Sequence, residues 1–394
     1  MRIETDIVVA GTGPAGLMGA LALARAGFSV ALAGPAVNLA DRRTTALMKP
    51  SLEFLGGLGL LEALEKEAAP LRVMRIADAT RRLLRSPVVT FRAAEIGEDY
   101  FGLNIPNRRL LAVLAEAVAA TGNVTRAETT VSRWTLGEAA VEAALADGGA
   151  IAAKLAVAAD GRLSPAREAA GIPVSSGSTG QSALVLDFAH TRAHEDTSTE
   201  FHTEHGPFTL VPLPGRRCSL VWVTRPERAG ELMNLDDAAL SQTVEQTMQS
   251  MLGRVSVEPG RQVYPLTSAL PRHFAKDRVA LVGEAAHIFP PIGAQGLNLG
   301  IRDIESLVRA VGAHAADPGA PSALAAYDRS RRPDILARSS AVNLMNRSLL
   351  SDMLPVQFLR AAGLNLLGAA PPLRALFMRE GLRTGSGFGS LFRA

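Results

Sequence analysis

A chain of 394 residues, 47% hydrophobic and 20% charged, is long enough for two or three interlocked domains with sizeable cores, and its mixed composition excludes wholesale disorder. The formal charge of +3 is small for this length and the basic residues are scattered, which excludes the footprint of a nucleic-acid binder. A lone cysteine, Cys218, excludes an internal disulfide and any CxxC metal or redox pair and fits a reducing cytoplasm, and no uninterrupted apolar run reaches the roughly 18 residues of a membrane-spanning helix.

In chain order, Met1 to Asp6 carries acids where an export signal needs a basic start and an apolar run, so no export is expected. Ile7 to Ala10 is a continuous apolar run, followed by Gly11-Thr12-Gly13-Pro14-Ala15-Gly16 and a helical segment from Leu17 to Ala26 that Gly27 closes. Strand, glycine turn and helix in that order form a dinucleotide cradle. One glycine permits the turn, one admits a pyrophosphate to the backbone, and one lets helix and strand pack closely, while the helix N-terminus faces the phosphate charge. The next strand, Val30 to Ala33, should end in an acid for the adenosine ribose, but Ala33 and Gly34 stand there.

Further on, Leu155 to Ala159 reads as a buried strand ending in Asp160-Gly161, with Ser164 and Arg167 at the head of a helix. Period-two alternation with Gly and Pro punctuation makes Gln181 to Val223 a set of antiparallel strands. Val279 to Gly283 is another apolar strand, and the stretch from Glu284 through Pro290-Pro291-Ile292-Gly293-Ala294-Gln295-Gly296-Leu297-Asn298 leads into a helix carrying Asp303. An acid just after a strand binds sugar or ribityl hydroxyls, and a Pro- and Gly-rich loop at a helix start offers backbone amides to a flat, electron-rich ring, which suits a flavin better than a nicotinamide.

These three motifs, in this order, resemble those of class A flavin monooxygenases, the group containing para-hydroxybenzoate hydroxylase, and the likeness covers most of the chain. The resemblance implies FAD, with Gly11, Gly13, Pro14, Ala15 and Gly16 on its ADP half, Asp160 and Gly161 as a second contact, and Gly283, Glu284, Pro291, Gly293, Gly296, Leu297 and Asn298 on the ribityl chain and isoalloxazine. Family members carry Asp where Glu284 stands. Arg43 matches an arginine near the cofactor, and Asn107 with Arg108 opens a helix that reaches the same groove. The segments Gly180 to Ala183, Glu200 to Leu213 and Ser219 to Trp222 are similar to the middle domain of ubiquinone-biosynthesis hydroxylases of the UbiH type.

The resemblance implies a monooxygenase that takes electrons from NAD(P)H and uses dioxygen, through a flavin C4a-hydroperoxide, to hydroxylate a lipophilic polyprenyl phenol. Pro291, presenting backbone groups to the reacting face, is the expected catalytic position. The expected fold is α/β: an FAD-binding Rossmann-like, mainly parallel sheet formed by the discontinuous segments 1–75, 99–174 and 267–335, an antiparallel substrate sheet from 76–98 and 175–266, and a helical C-terminal region from 336 to 394. Trp222 and Phe201 are expected in the core, Cys218 as a small buried hydrophobe, and His202 and His205 as satisfied or exposed side chains rather than metal ligands.

From Asp328 onward ten arginines face four acids on an otherwise apolar helical tail. Two expectations stand side by side: a tail lying on the inner membrane surface, near other ubiquinone-biosynthesis proteins, or a tail packed on the FAD domain of a cytoplasmic protein. The rival functions are hydroxylation of a soluble aromatic compound and a non-catalytic FAD-binding scaffold.

Overall fold

Apolar runs with no polar face are stable only when both faces of a strand are covered, the condition inside a parallel sheet flanked by helices. In the computed structural model, which describes residues 2–80, 87–290, 295–350 and 370–382 (side chains of 338–350, 371, 377, 381 and 382 excepted), those runs meet. Strands Val279–Leu281, Ala150–Ala158, Arg2–Ala10, Val30–Ala33 and Val124–Ala127 lie side by side in that order and run parallel. The register sets Ala10 beside both Ala158 and Ala33, and Ala158 beside Leu281, so the carboxyl ends of four strands fall on one line. Each expected motif begins at that line.

The second sheet follows from alternation. Its strands run Val255–Val257, Val174–His190, Arg217–Thr224, Gly206–Leu213, Thr197–Thr203, Val73–Asp78 and Val89–Arg92, with Gln262–Pro271 also paired to Val174–His190. All neighbours are antiparallel except Thr197–Thr203 with Val73–Asp78. One face carries Leu184, Leu186, Phe188, Phe201, Phe208, Leu220 and Trp222, which pack with Leu232, Leu240 and Val244 of the helices Pro226–Asn234 and Asp237–Thr247. Phe201 and Trp222 are core residues as expected, with Phe208 edge-on to Trp222 at 5.0 Å between centroids. Cys218 is fully buried in the same cluster.

The opposite face carries Ala183, Val185, Val221, Val223 and Leu266, and by the same alternation Glu200, His202, Thr209 and Tyr264. A three-stranded sheet of Thr44–Met48, Gly102–Pro106 and Ala69–Leu71 lies against it, pinned by Asn104 Nδ2 donating to the Pro212 carbonyl at 2.8 Å.

The described residues of the C-terminal region include the helices Pro321–Leu350 and Pro371–Leu382. Among the described side chains, the expected packing on the FAD domain is seen at its start, where Arg331 pairs with Asp303 and Arg332 donates to the Arg272 carbonyl. The last helix instead seats on the outer strands of the second sheet, because the apolar side chains that can cover Met378 are Val89, Phe91 and Phe101; Arg374 pairs with Glu95 at 2.7 Å beside them. Among the described residues no helix is long and apolar enough to cross a membrane.

Candidate active site

The line of strand ends builds the site. Gly11 has φ of +113°, and a Cβ there would lie 2.2 Å from the Ala159 carbonyl oxygen; one on Gly16 would lie 1.9 Å from the Gly11 carbonyl oxygen. Turn and helix can therefore close on the neighbouring strand only without side chains. Gly13, between them, would place a Cβ in open space. The helix Pro14–Arg25 that follows has no side-chain cap and no acid in its first turn, and Pro14 sits at its start. Its first amides and dipole are left for an anion. Ala15 touches the position a Cβ on Gly283 would take, at 3.0 Å, so the first and third motifs meet directly.

Asp160 opens the second motif. Its Oδ2 accepts the Ala166 amide at 3.2 Å, while Oδ1 is buried and has no hydrogen-bond partner. Burial pushes its carboxyl above the usual range, against the lowering pull of Ser164 and the Ala166 amide. Gly161 follows at φ +85°, and Ser164 caps the helix Pro165–Ala169 through the Arg167 amide. Arg167 itself is buried and joins two motifs, donating to the Ala285 carbonyl at 2.9 Å and the Arg162 carbonyl at 2.8 Å.

In the third motif, Gly283 (φ +62°), Glu284 and Ala285 form a short 3-10 turn. Glu284 is exposed. Behind the turn a buried network holds it: Asp303 accepts from the Gly283 amide at 3.0 Å and from Arg331 at 2.8 Å, with His287 Nε2 at 2.7 Å. Burial alone would raise the Asp303 carboxyl, but His287 and Arg331 outweigh it and hold the group below its ordinary range. His287 and Asp303 were legible in the sequence as residues, but this role was not, since the partner Arg331 lies 28 positions away from Asp303.

Arg43 is gripped by Asp41 through Nε and Nη2 at 3.0 and 2.7 Å and stands 5.9 Å from the centre of the Tyr264 ring, with the charge of Glu284 among those that act on it. Arg43 therefore meets the second sheet at Tyr264 and lies within the field of Glu284, at the strand ends of the first. Asn107 is buried and engaged within the protein, accepting from the Thr45 hydroxyl at 2.6 Å and donating to Asp41 at 3.0 Å. Arg108 is exposed at the rim, where its charge reaches Asp187. Asn298 accepts from the Met48 amide and the Ser51 hydroxyl at 2.8 and 2.7 Å and donates to the Ala46 carbonyl, which ties the helix Gln295–Gly312 to the small sheet. Gly296 lies in the first turn of that helix with open space at its Cβ position, and Leu297 packs on the core. Pro291 and Gly293 lie outside the described residues. Beside them, Ile288 bridges to Ala269, and a cleft of about 620 Å³ opens between Phe289 and the ribbon of Val174, Ala269, Leu270 and Pro271.

These features fit FAD. Gly13 leaves room against free helix amides for a pyrophosphate, and the unpaired Asp160 Oδ1 and exposed Glu284 are acceptors for sugar or ribityl hydroxyls. At the end of the second strand, where an acid for the ribose is missing, Arg126 donates to the Leu32, Gly34 and Pro35 carbonyls and fixes the backbone. Among the described residues no group of His, Cys, Asp and Glu could hold a metal ion.

Residues 4–338 match the family described as FAD binding domain. The chain is 34% identical over 392 residues to "Ubiquinone hydroxylase UbiL" of Rhodospirillum rubrum, covering 96% of this chain and 90% of that protein. It is 30% identical to the "3-demethoxyubiquinol 3-hydroxylase" of Escherichia coli, covering 91% and 94%. In fold it is similar to p-nitrophenol 4-monooxygenase PnpA from Pseudomonas putida, with a TM-score of 0.78 at 21% identity over 97% of each chain. The chain belongs to the FAD-binding-domain family, among the FAD-dependent aromatic-ring hydroxylases of the UbiH type.

Proposed function

We propose that this enzyme hydroxylates the ring of a polyprenyl phenol in ubiquinone biosynthesis, using NAD(P)H and dioxygen. The observation that carries the proposal is the meeting of the three cofactor motifs at one line of strand ends, next to a second sheet that reaches Arg43 through Tyr264 and carries, on the Tyr264 face, the apolar cluster of Ala183, Val185, Val221, Val223 and Leu266. Its described apolar side chains suit burial of a prenylated ring, and the names of two relatives, at 34% and 30% identity, point to the same class of substrate.

Bound FAD supplies oxygen activation and the hydroxylating chemistry. The chain's residues do the rest. Gly11, Gly13, Ala15 and Gly16 hold the pyrophosphate, Asp160 and Glu284 take hydroxyls, and Arg43, fixed by Asp41, sets the floor of the groove beneath Tyr264. The apolar sheet face excludes water from the reacting ring. Backbone groups at Pro291 and Gly293 and the first turn at Gly296 and Leu297 complete the proposed flavin contacts, with Asn107, Arg108 and Asn298 supporting the walls. Residues 1–75, 99–174 and 267–335 are proposed as the cofactor domain, with 76–98 and 175–266 as the substrate domain. The seat of the C-terminal arginines on a membrane surface, or on other ubiquinone-biosynthesis proteins, is proposed only for those not engaged inside the fold.

A series of phenols with none, one and two prenyl units tests the proposal. At ~0.8 kcal/mol per buried methylene, two buried methylenes already raise kcat/KM by about tenfold, so kcat/KM is expected to climb steeply with the first unit. Equal turnover of an unprenylated hydroxybenzoate would instead favour a soluble aromatic substrate. Stoichiometric FAD without substrate-stimulated oxygen use would favour a scaffold.

A further inference from the structure

The strands Val174–His190 and Gln262–Pro271 run on together as a two-stranded ribbon beyond the reach of Arg217–Thr224, which pairs with the former only over 182–189. In this ribbon Ser175 pairs with Leu270 and Gly177 with Ser268. By alternation along Gln262–Pro271, Tyr264, Leu266, Ser268 and Leu270 share one face, so the face that carries the apolar cluster at Leu266 continues along the ribbon. The third cofactor motif joins it there: Ile288 and Ala269 exchange backbone hydrogen bonds at 2.9 and 3.0 Å. Phe289, the next residue, stacks on His287 with ring planes 18° apart, and His287 is itself held by Asp303 at 2.7 Å. The cleft of about 620 Å³ between Phe289 and the ribbon therefore has the cofactor motif as one wall and the continuation of the apolar face as the other.

Its chemistry selects among occupants. Val174, Leu270, Ile288 and Phe289 are only half-buried, which leaves apolar surface open to the cleft, and Leu270 and Phe289 rest on the core of the first sheet. The volume lies within the range of small-molecule sites. Arg272, exposed, is the one charged side chain among the described lining residues. The phosphates of a nicotinamide dinucleotide call for several cations or free amides, and one arginine does not supply them. An uncharged hydrocarbon chain needs no such partner and is stabilised simply by leaving water. Phe289 stands two residues before Pro291, a proposed flavin contact, so a chain lying in the cleft ends beside the third motif.

We propose that this cleft seats the prenyl tail of the substrate, with Leu270 and Phe289 setting the preference for tail over no tail. The inference rests on the ring-hydroxylase reading above and says where the tail of that substrate lies.

Two measurements test it. In the first, a prenylphenol with a diazirine on its second isoprene unit is photolysed on the FAD-loaded protein and the labelled peptides are sequenced. Label is expected within 173–175, 268–272 or 288–289 and is expected to be displaced by a plain prenyl alcohol. Label confined to other segments, or none above the unphotolysed control, overturns the proposal; label displaced by NAD(P)H but not by the prenyl alcohol gives the cleft to the electron donor and overturns it too. In the second, Leu270→Ser is checked for FAD content and melting temperature and then assayed with a phenol of two prenyl units and an unprenylated one. The ratio of their kcat/KM values is expected to fall by about tenfold, since an apolar wall of the tail site is lost. If Leu270→Ser does not fold, Ser175→Trp, which fills the cleft from an exposed position paired with Leu270, carries the same comparison with the same expected fall. An unchanged ratio overturns the proposal. A wild-type protein that is labelled in the cleft but hydroxylates neither phenol overturns the ring-hydroxylase reading instead, a distinct result.

Discussion

A methyl group at Gly11 would lie 2.2 Å from the Ala159 carbonyl oxygen at φ of +113°, while a methyl at Gly13 would meet nothing within 4 Å. Gly11→Ala is therefore expected to destabilise the apoprotein by about 1–3 kcal/mol, the scale of a backbone held in a strained region, and to lose FAD with the fold. Gly13→Ala should leave the apoprotein melting temperature unchanged and weaken FAD alone. Thermal melts beside FAD titrations separate the two. Cys218, fully buried, has its thiol pushed up to about 12 by burial, with the charge of Asp187 adding to it. It should resist a maleimide in the native protein and react on unfolding; fast labelling of the folded enzyme would contradict its place in the core. The glycine roles were legible in the sequence, because a GxGxxG turn between an apolar strand and a helix has few other uses. The burial of His202 was not, since its neighbours on the strand Val73–Asp78 come from more than a hundred residues away.

The third motif depends on elements behind it. Asp303 joins its turn to His287 and to Arg331 of the following helix, and its carboxyl lies below the ordinary range. A carboxyl lowered by folding adds stability above its unfolded value of about 4, and that stability is lost as the pH falls through the folded value. Asp303→Asn should cost about 3 kcal/mol at neutral pH, because it takes from the buried Arg331 one of its two carboxylate partners and leaves only Asp334 at 2.9 Å, and should flatten the acid limb of the stability curve. Denaturant titrations at neutral and acid pH check both parts. The last helix gives a second test. Met378→Ala removes its anchor among Phe91 and Phe101, at about 2–5 kcal/mol locally, and should raise amide exchange across 371–382 while the parallel sheet stays protected. The parallel strands were legible as apolar runs. The docking of this helix was not, since a sparse apolar face does not name the surface that covers it.

For the molecule as a whole, the register of the parallel strands brings three motifs, separated by well over a hundred residues each, to one line of strand ends. The second sheet closes over that line through Tyr264 and Arg43. Its two faces divide the work: one packs against helices and makes the domain stable, and the other is mixed, an apolar cluster of Ala183, Val185, Val221, Val223 and Leu266 beside the polar Glu200, Thr209 and Tyr264. Three tail arginines that suggested a membrane surface in the sequence are engaged in ion pairs within the chain, Arg331 buried at Asp303 and Arg332 and Arg374 nearer the surface at Asp328 and Glu95, which charge counting along a chain does not reveal. The most direct test is oxygen consumption by the FAD-loaded protein with NAD(P)H, in labelled dioxygen, with and without a short-chain prenylphenol. The expected result is consumption stimulated by the phenol, with one labelled oxygen atom on the product ring. Bound FAD with no phenol-dependent incorporation of label would contradict the assignment of this groove to ring hydroxylation.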